Sequence, residues 1–411
     1  MRSRTDHDFR GLPDWAQRPL VIQIFTQAVV LGGEARIVGG AVRDWLAGYP
    51  VSDIDMAINL PIETVASHLV ACDMCVVETG LKHGTITLHD KNDQIELTQT
   101  RVDLEADGRH AIVAHDKDWA HDAARRDFTI NAIYLDSSGG LFDPLDGMAD
   151  IQAGRLRFAG DAGLRVQEDA LRMLRYCRFL PRFAATGIDP QAQTALGKYA
   201  SLCVSLSGER IANEMRRIMV GGCFKDVIGL MQDSRIDRST LGLSLDPSRL
   251  ANDDENAVMV AGLGAKVNFA WLVNLAVAVP SGSAALLAER LRLSRVEKRC
   301  LTRLDRGLGD DDLTMLSGTK WRQAAYYLGD MAALLFAVQS LRNGNALDAS
   351  RLAELISWTP PQRPICGADL LSHGVDIGPG LGQMLEGAER RWVTSNFKLE
   401  KATLLEWLLG N

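Results

Sequence analysis

The stretch Arg36–Asp55, RIVGGAVRDWLAGYPVSDID, decides the fold of this chain. Its apolar start, within Ala35–Gly40, reads as a strand that ends on Gly39-Gly40, and Ala41–Ala47 reads as a short amphipathic helix. Two glycines at a strand-to-helix junction let backbone N–H groups approach a phosphate closely, and the helix N-terminus favours negative charge. Asp53 and Asp55 follow on a second strand, Ser52–Ala57. Side chains two apart on a strand share a face, so both carboxylates point the same way. A pair of carboxylates beside a phosphate cradle is what Mg²⁺-assisted phosphoryl or nucleotidyl transfer requires.

Outward from that stretch, the first 147 residues alternate between strand and helix patterns. Pro61 suits the first turn of a helix continuing over Ile62–Cys72. Gly84–Leu88 and Gln94–Thr98 alternate as β-branched strands about Lys91-Asn92-Asp93, which predicts a hairpin. Phe128–Leu135 reads as helix or strand. Beyond residue 148 the strand signal stops, and apolar residues recur at i, i+3, i+4 over Leu164–Pro181, Gln191–Tyr199, Gly208–Met219, Ala284–Arg306, Trp321–Leu341 and Lys398–Leu409. The pattern predicts an α+β chain: a mixed-sheet head over 1–147, a helical neck over 148–225, and a helical body and tail over 226–411.

Composition narrows the class. A chain of 411 residues exceeds one hydrophobic core, and 46% hydrophobic with 24% charged residues is ordinary for a globular protein. No apolar run reaches the ~18 residues expected of a membrane span, and the N-terminus lacks a secretory apolar segment. Seven scattered cysteines fit free thiols in a reducing cytoplasm. His110, His115 and His121 lie close in sequence but not at metal spacing, and read as polar loop residues. Net charge is −7, yet basic residues are segregated: 155–217 holds eleven Lys/Arg against six Asp/Glu. A second set, Arg290, Arg292, Arg295, Lys298, Arg299, Arg303 and Arg306, faces only Glu289, Glu297 and Asp305. Basic segments on an acidic chain suit a polyanionic partner.

Five ordered motifs carry a family resemblance. They are Gly39-Gly40-x-x-Arg43-Asp44 with Asp53-x-Asp55, Arg125-Arg126-Asp127-Phe128-Thr129-Ile130-Asn131-Ala132, Asp143-Pro144-x-x-Gly147, Glu168-Asp169-Ala170-Leu171-Arg172, and Glu209-Arg210-x-x-x-Glu214. In this the chain resembles the class II tRNA nucleotidyltransferases, or CCA-adding enzymes, which share a nucleotidyltransferase-fold head with bacterial poly(A) polymerases. The resemblance implies that Asp53 and Asp55 hold two Mg²⁺ ions, with Glu96 as a candidate third ligand. It implies that Gly39, Gly40 and Arg43 meet phosphate, and that Arg126 and Asp127 hold phosphate and ribose with Asn131 supporting the turn. Asp143-Pro144-x-x-Gly147 is expected to form a structural turn.

The Glu168–Arg172 segment is the expected base reader. On one helix Asp169 and Arg172 share a face and Glu168 braces Arg172. Asp169 offers an acceptor beside the Arg172 donor, which suits the amine and ring nitrogen of cytosine and adenine. Uracil and guanine present the opposite order and leave buried groups unpaired. Arg175, three residues on, is placed to reach a triphosphate.

The expected function is therefore addition of CCA to tRNA from CTP and ATP, with tRNA as partner and no membrane association. The alternatives are a bacterial poly(A) polymerase, an enzyme adding only CC or only A, and a catalytically silent RNA-binding protein. Glu78–Thr85 lacks the Arg-rich segment of the polymerases, and Arg101–Trp119 has the length that CC-only relatives lack.

Overall fold

A computed structural model describes residues 11–78, 80–91, 93–106, 111–221, 223–250 and 269–410. The chain forms two compact units, one of 1–206 with 230–240 and one of 207–229 with 241–411.

The first unit is built on a seven-stranded mixed sheet. Its strands are β1 (Ala35–Val38), β2 (Asp55–Ile58), β3 (Cys75–Val77), β4 (Thr85–His89), β5 (Gln94–Gln99), β8 (Tyr134–Leu135) and β9 (Leu141–Phe142), in the order β3-β4-β5-β2-β1-β8-β9. Between β5 and β8 in sequence, β6 (Arg101–Ala106) and β7 (Ala111–His115) pair as a separate antiparallel hairpin. Only β2 and β5 run parallel; the other pairings of the large sheet are antiparallel.

Side-chain alternation divides the sheet into unequal faces. Ile37, Met56, Ile58, Ile86, Leu88, Ile95 and Leu97 point one way and are fully buried. They pack on Leu20, Ile24 and Phe25 of α1 (Pro19–Val30) and on Ile62, Val65 and Leu69 of α3 (Ile62–Ala71). Each such side chain contributes about 1.5–3 kcal/mol on burial, so this face anchors the unit. The opposite face has a smaller cluster, Val38, Ala57, Trp119, Ala123, Ala132 and Tyr134, covered by α4 (Trp119–Ala124). Beyond that cluster Asp55 and Glu96 stay exposed. Between the two faces, α2 (Gly40–Leu46) leaves β1 through the Gly39-Gly40 turn.

The neck helices α6 (Ala162–Glu168), α7 (Leu171–Phe183) and α8 (Pro190–Tyr199) belong to this first unit. Its third motif is structural, as expected. The Asp143 carboxylate accepts from the Gly147 and Met148 N–H groups at 2.8 Å each, starting α5 (Gly147–Ala153). A side chain at Gly147 would place its first carbon 2.3 Å from the Thr129 carbonyl oxygen, so only glycine permits this approach.

Several boundaries differ from those the sequence predicts. The strand carrying the paired aspartates begins at Asp55, so Asp53 precedes it in extended chain. Phe128–Leu135 is neither one helix nor one strand but a 3₁₀ turn, Thr129–Asn131, leading into β8. Leu164–Pro181 is two helices, because Asp169 takes an extended conformation and its carboxylate accepts from the Leu171 N–H at 3.0 Å. Aspartate favours this local bond over helix continuation. His110 and Asn92 lie outside the described residues, and His121 pairs with Asp116 at 2.5 Å.

In the second unit the predicted Ala284–Arg306 helix also breaks. Ser294 and Glu297 form a capping box that starts a new helix, Arg295–Arg306, after Ala284–Arg290. Ala270–Ala278 is apolar on every side and buried at every residue, as a central core helix should be. Its lone polar side chain, Asn274, donates to the Met219 carbonyl at 2.7 Å. Trp321–Arg342 is long and apolar enough to cross a membrane by composition, which the expectation of no such run missed; 61% of its apolar window is packed inside the protein. A 3₁₀ turn at Gly329–Met331 interrupts it.

Candidate active site

One row of strand partners builds the site. Tyr134 pairs with Val38, Val38 with Asp55, Asp55 with Glu96, and Glu96 with Thr87, so five strands bring these side chains to one face in order. Gly39 directly follows Val38, which sets the glycine turn beside Asp55. Gly39 adopts φ +75°, a conformation that side chains other than glycine rarely take. A carbon added there would lie 3.8 Å from Arg126 Nη1, placing that guanidinium at the turn.

Asp55 and Glu96 are strand partners, whereas Asp53 lies ahead of the strand and not on its face as the sequence predicts. Desolvation by the surrounding sheet, although Asp55 still reaches solvent, then the Glu96 charge, with a further contribution from Asp53, push the Asp55 carboxyl above its ordinary pKa, while Arg126 opposes them. Such mutual repulsion is relieved by a cation. Among the described residues no group of three or more His, Cys, Asp or Glu side chains is placed to hold a metal ion. The paired Asp55 and Glu96 carboxylates are as many protein ligands as a hard divalent ion needs when water and substrate oxygens complete its shell.

The second motif forms a connected polar network. Arg126 donates to Asp122 at 2.8 Å and to the Tyr134 hydroxyl at 2.9 Å. Its Nη1 remains directed at the glycine turn, and a fifth of the side chain stays exposed (20%). Arg126 thus reaches the glycine turn with part of its side chain open to solvent.

Asp127 accepts from Asn131 Nδ2 and the Phe128 N–H at 2.9 Å each, and from Arg175 at 2.7 and 2.5 Å. These four bonds engage both oxygens of the carboxylate. Burial alone would raise its pKa; the Arg175 charge and the Asn131 bond override it and hold it below the ordinary value. Arg175, expected at the triphosphate, is spent on this pair.

Arg43 is likewise internal. It is 6% exposed, donates to Asn131 at 2.7 Å and Asp44 at 2.8 Å, and lies over the Phe179 and Phe183 rings at 4.7 and 5.0 Å. It supports the glycine turn from beneath, where a carbon added to Gly40 would meet its Nη2 at 3.7 Å. Arg43, Asn131, Asp127 and Arg175 form one chain of bonds tying α2 to α7, a positioning role in place of the substrate contacts the sequence suggests.

The Glu168–Arg172 segment keeps its ion pair despite the helix break. Arg172 donates to Glu168 at 2.6 Å, as i, i+4 spacing predicts, and also to the carbonyls of Arg165 and Arg125 at 3.0 and 2.9 Å. Three of its five N–H donors are committed, leaving Nε and one Nη2 hydrogen for a ligand. Glu168 also pairs with Arg165. Asp169 lies extended at the end of α6, its carboxylate accepting from the Leu171 N–H, rather than standing on a helix face with Arg172.

Two functional-network residues escape the motif reading: Asp122 and Tyr134. Asp122 sits three and four residues before Arg125 and Arg126, the spacing of helical ion pairs, and was legible on that ground.

The chain matches the Poly A polymerase head domain over residues 35–157. It is 32% identical over 386 residues to the mitochondrial CCA tRNA nucleotidyltransferase 1 of Danio rerio, covering 91% of this chain and 87% of that one. It is 29% identical to the CCA-adding enzyme of Lacticaseibacillus paracasei, covering 93% and 94%. The fold is similar to that of the Bacillus stearothermophilus CCA-adding enzyme solved in complex with CTP, with a TM-score of 0.74, 23% identity, and 97% and 98% coverage.

Proposed function

Because this chain belongs to the CCA tRNA nucleotidyltransferases, we propose that it extends tRNA 3′ ends with C, C and A, taking CTP and ATP as substrates. Enzymes of this kind use divalent metal ions, and Mg²⁺ is the ion proposed here. Asp53 and Asp55 would hold it, with Glu96 as a further ligand; bound there, it supplies an acidified RNA 3′-hydroxyl and charge neutralisation for departing pyrophosphate. The observation that carries the reading is the strand row placing Asp55 and Glu96 beside the Gly39 turn and Arg126.

The remaining steps belong to the chain's own residues. The Gly39 and Gly40 backbone and the Arg126 guanidinium bind triphosphate oxygens. Arg172, braced by Glu168, offers donors to the Watson–Crick edge of the incoming base, and Asp169 offers the adjoining acceptor once its cap to Leu171 opens. This order of donor and acceptor selects C and A over U and G. The free cysteines among the described residues fit a cytoplasmic setting.

The test is direct. Incubated with tRNAs ending before CCA, after C and after CC, the protein is expected to add CTP to the first two and ATP to the third, each nucleotide supplied singly. Elongation with ATP alone on all three, or no addition to any, removes this reading.

A further inference from the structure

The Asp122 carboxylate has no exposed surface, so it cannot touch a substrate. Its partners are nevertheless the residues facing the nucleotide. One oxygen accepts from Arg125 Nε at 2.9 Å and from Arg125 Nη2; the other accepts from Arg126 Nε and Nη2 at 3.2 and 2.8 Å and from the Tyr134 hydroxyl at 2.7 Å. Tyr134 closes the triangle by accepting from Arg126 at 2.9 Å. Because Tyr134 belongs to the strand row that carries Asp55, the triangle is fixed to the sheet at the carboxylate site.

Two guanidinium groups against one carboxylate leave a net positive charge, and both arginines are partly exposed, 17% and 20%. That charge is what a triphosphate would meet. The same anchor reaches the base reader by a second route. The end of α4 leaves backbone carbonyls without helical partners. Arg165 takes the Ala124 carbonyl at 2.8 Å, and Arg172 takes the Arg125 carbonyl at 2.9 Å. Holding both arginine side chains, Asp122 therefore also fixes the backbone on which Arg172 rests.

From this geometry we infer that Asp122 is a positioning residue serving both halves of nucleotide recognition: it aims Arg126 at the triphosphate and, through the Arg125 backbone, sets Arg172 at the base. The Tyr134 hydroxyl is its bridge to the sheet. The inference rests on the proposed roles of Arg126 and Arg172. Burial opposes ionisation of Asp122, but the two guanidinium charges and the Tyr134 hydroxyl hold its carboxyl down at about 2, so it is ionised throughout the working range.

The experiment compares wild type, Asp122→Asn, Arg126→Ala, the double variant, and Tyr134→Phe, with tRNA saturating. KM for CTP and ATP, the ratio of C and A to U and G incorporation, and the melting temperature are measured for each. Wild-type CCA addition is the control: its absence would defeat the proposed function, whereas its presence isolates Asp122. Asp122→Asn is expected to raise KM for both nucleotides by roughly ten- to hundred-fold and to relax base selection. In the Arg126→Ala background it should add nothing further to KM, while still relaxing selection through Arg125. Tyr134→Phe is expected to shift KM the same way by a few-fold, and decides the matter if Asp122→Asn does not fold. A lowered melting temperature with unchanged KM and unchanged selection would overturn the inference. So would a Tyr134→Phe protein with wild-type KM, or multiplying KM effects in the double variant.

Discussion

Two arginine-rich regions look alike in sequence and differ in the folded chain. The neck set is held in ion pairs: Arg155 and Arg157 pair with Asp150, Arg165 and Arg172 with Glu168, Arg175 with Asp127, and Arg182 with Asp44. The set on the Arg295–Arg306 helix is turned outward. Arg295, Lys298, Arg299, Arg303 and Arg306 are exposed, and among the described residues none of them forms an ion pair. The acidic residues of that segment are occupied from elsewhere, Glu297 by Arg216 and Asp305 by Arg342. Arginine count alone therefore misleads. Paired and part-buried guanidinium groups fix geometry, whereas unpaired exposed ones create a field that attracts polyanions. Most cations over 155–217 are thus committed to carboxylates, while Lys198, Arg210 and Arg217 of that stretch stay exposed.

The largest effect separates chemistry from both sets. Asp53→Ala or Asp55→Ala is expected to cut nucleotide addition by at least ~100- to 1,000-fold while leaving tRNA affinity nearly unchanged, because affinity comes from phosphate contacts. A filter-binding assay beside single-turnover kinetics checks this, and activity within tenfold of wild type removes these residues as metal ligands.

At the paired arginines of the head, Asp122→Asn tests how far pairing supports the fold. Its folded carboxyl sits at about 2 against an ordinary 3.8. A depressed carboxyl stabilises the fold above the unfolded value, and the contribution disappears as pH falls through the folded one. About 2 kcal/mol is thus present at neutral pH and lost between roughly pH 4 and 2. Denaturant melts of wild type and variant should differ by at least this at pH 7 and converge in acid; a constant gap across that window would contradict the assignment.

Most of the head was legible because its signals are local. Gly39-Gly40 and the strand carrying Asp55 need no distant partner to be read, although Asp53 lies ahead of that strand, and Glu96 came from the family resemblance. The roles of Arg43, Asp127 and Arg175 were not legible, since a guanidinium that meets a carboxylate over forty residues away gives no spacing signal. Asp169 misled for a different reason: its own cap to Leu171 outcompeted the helix that i, i+3 counting assumed. Ser294 with Glu297 was readable as a capping box, and the continuous apolar periodicity on either side concealed it.

The outward set gives the smallest change in stability. Replacing Arg295, Lys298 and Arg299 together by Ala should leave the melting temperature within a few degrees of wild type. It should weaken tRNA binding and flatten its salt dependence by ~0.7–0.9 log units for each phosphate no longer neutralised. An unchanged slope would return these residues to the role of a solvated helix face.

The division of labour is tested most directly by measuring two quantities on two proteins, Arg172→Ala and the Arg295/Lys298/Arg299 triple variant. The quantities are U and G misincorporation relative to C and A, and tRNA affinity across a salt series. Arg172→Ala should raise misincorporation by roughly ten- to hundred-fold at unchanged tRNA affinity, and the triple variant should lose affinity at unchanged selection. Loss of both quantities in both proteins, or selection altered only in the triple variant, would contradict the account.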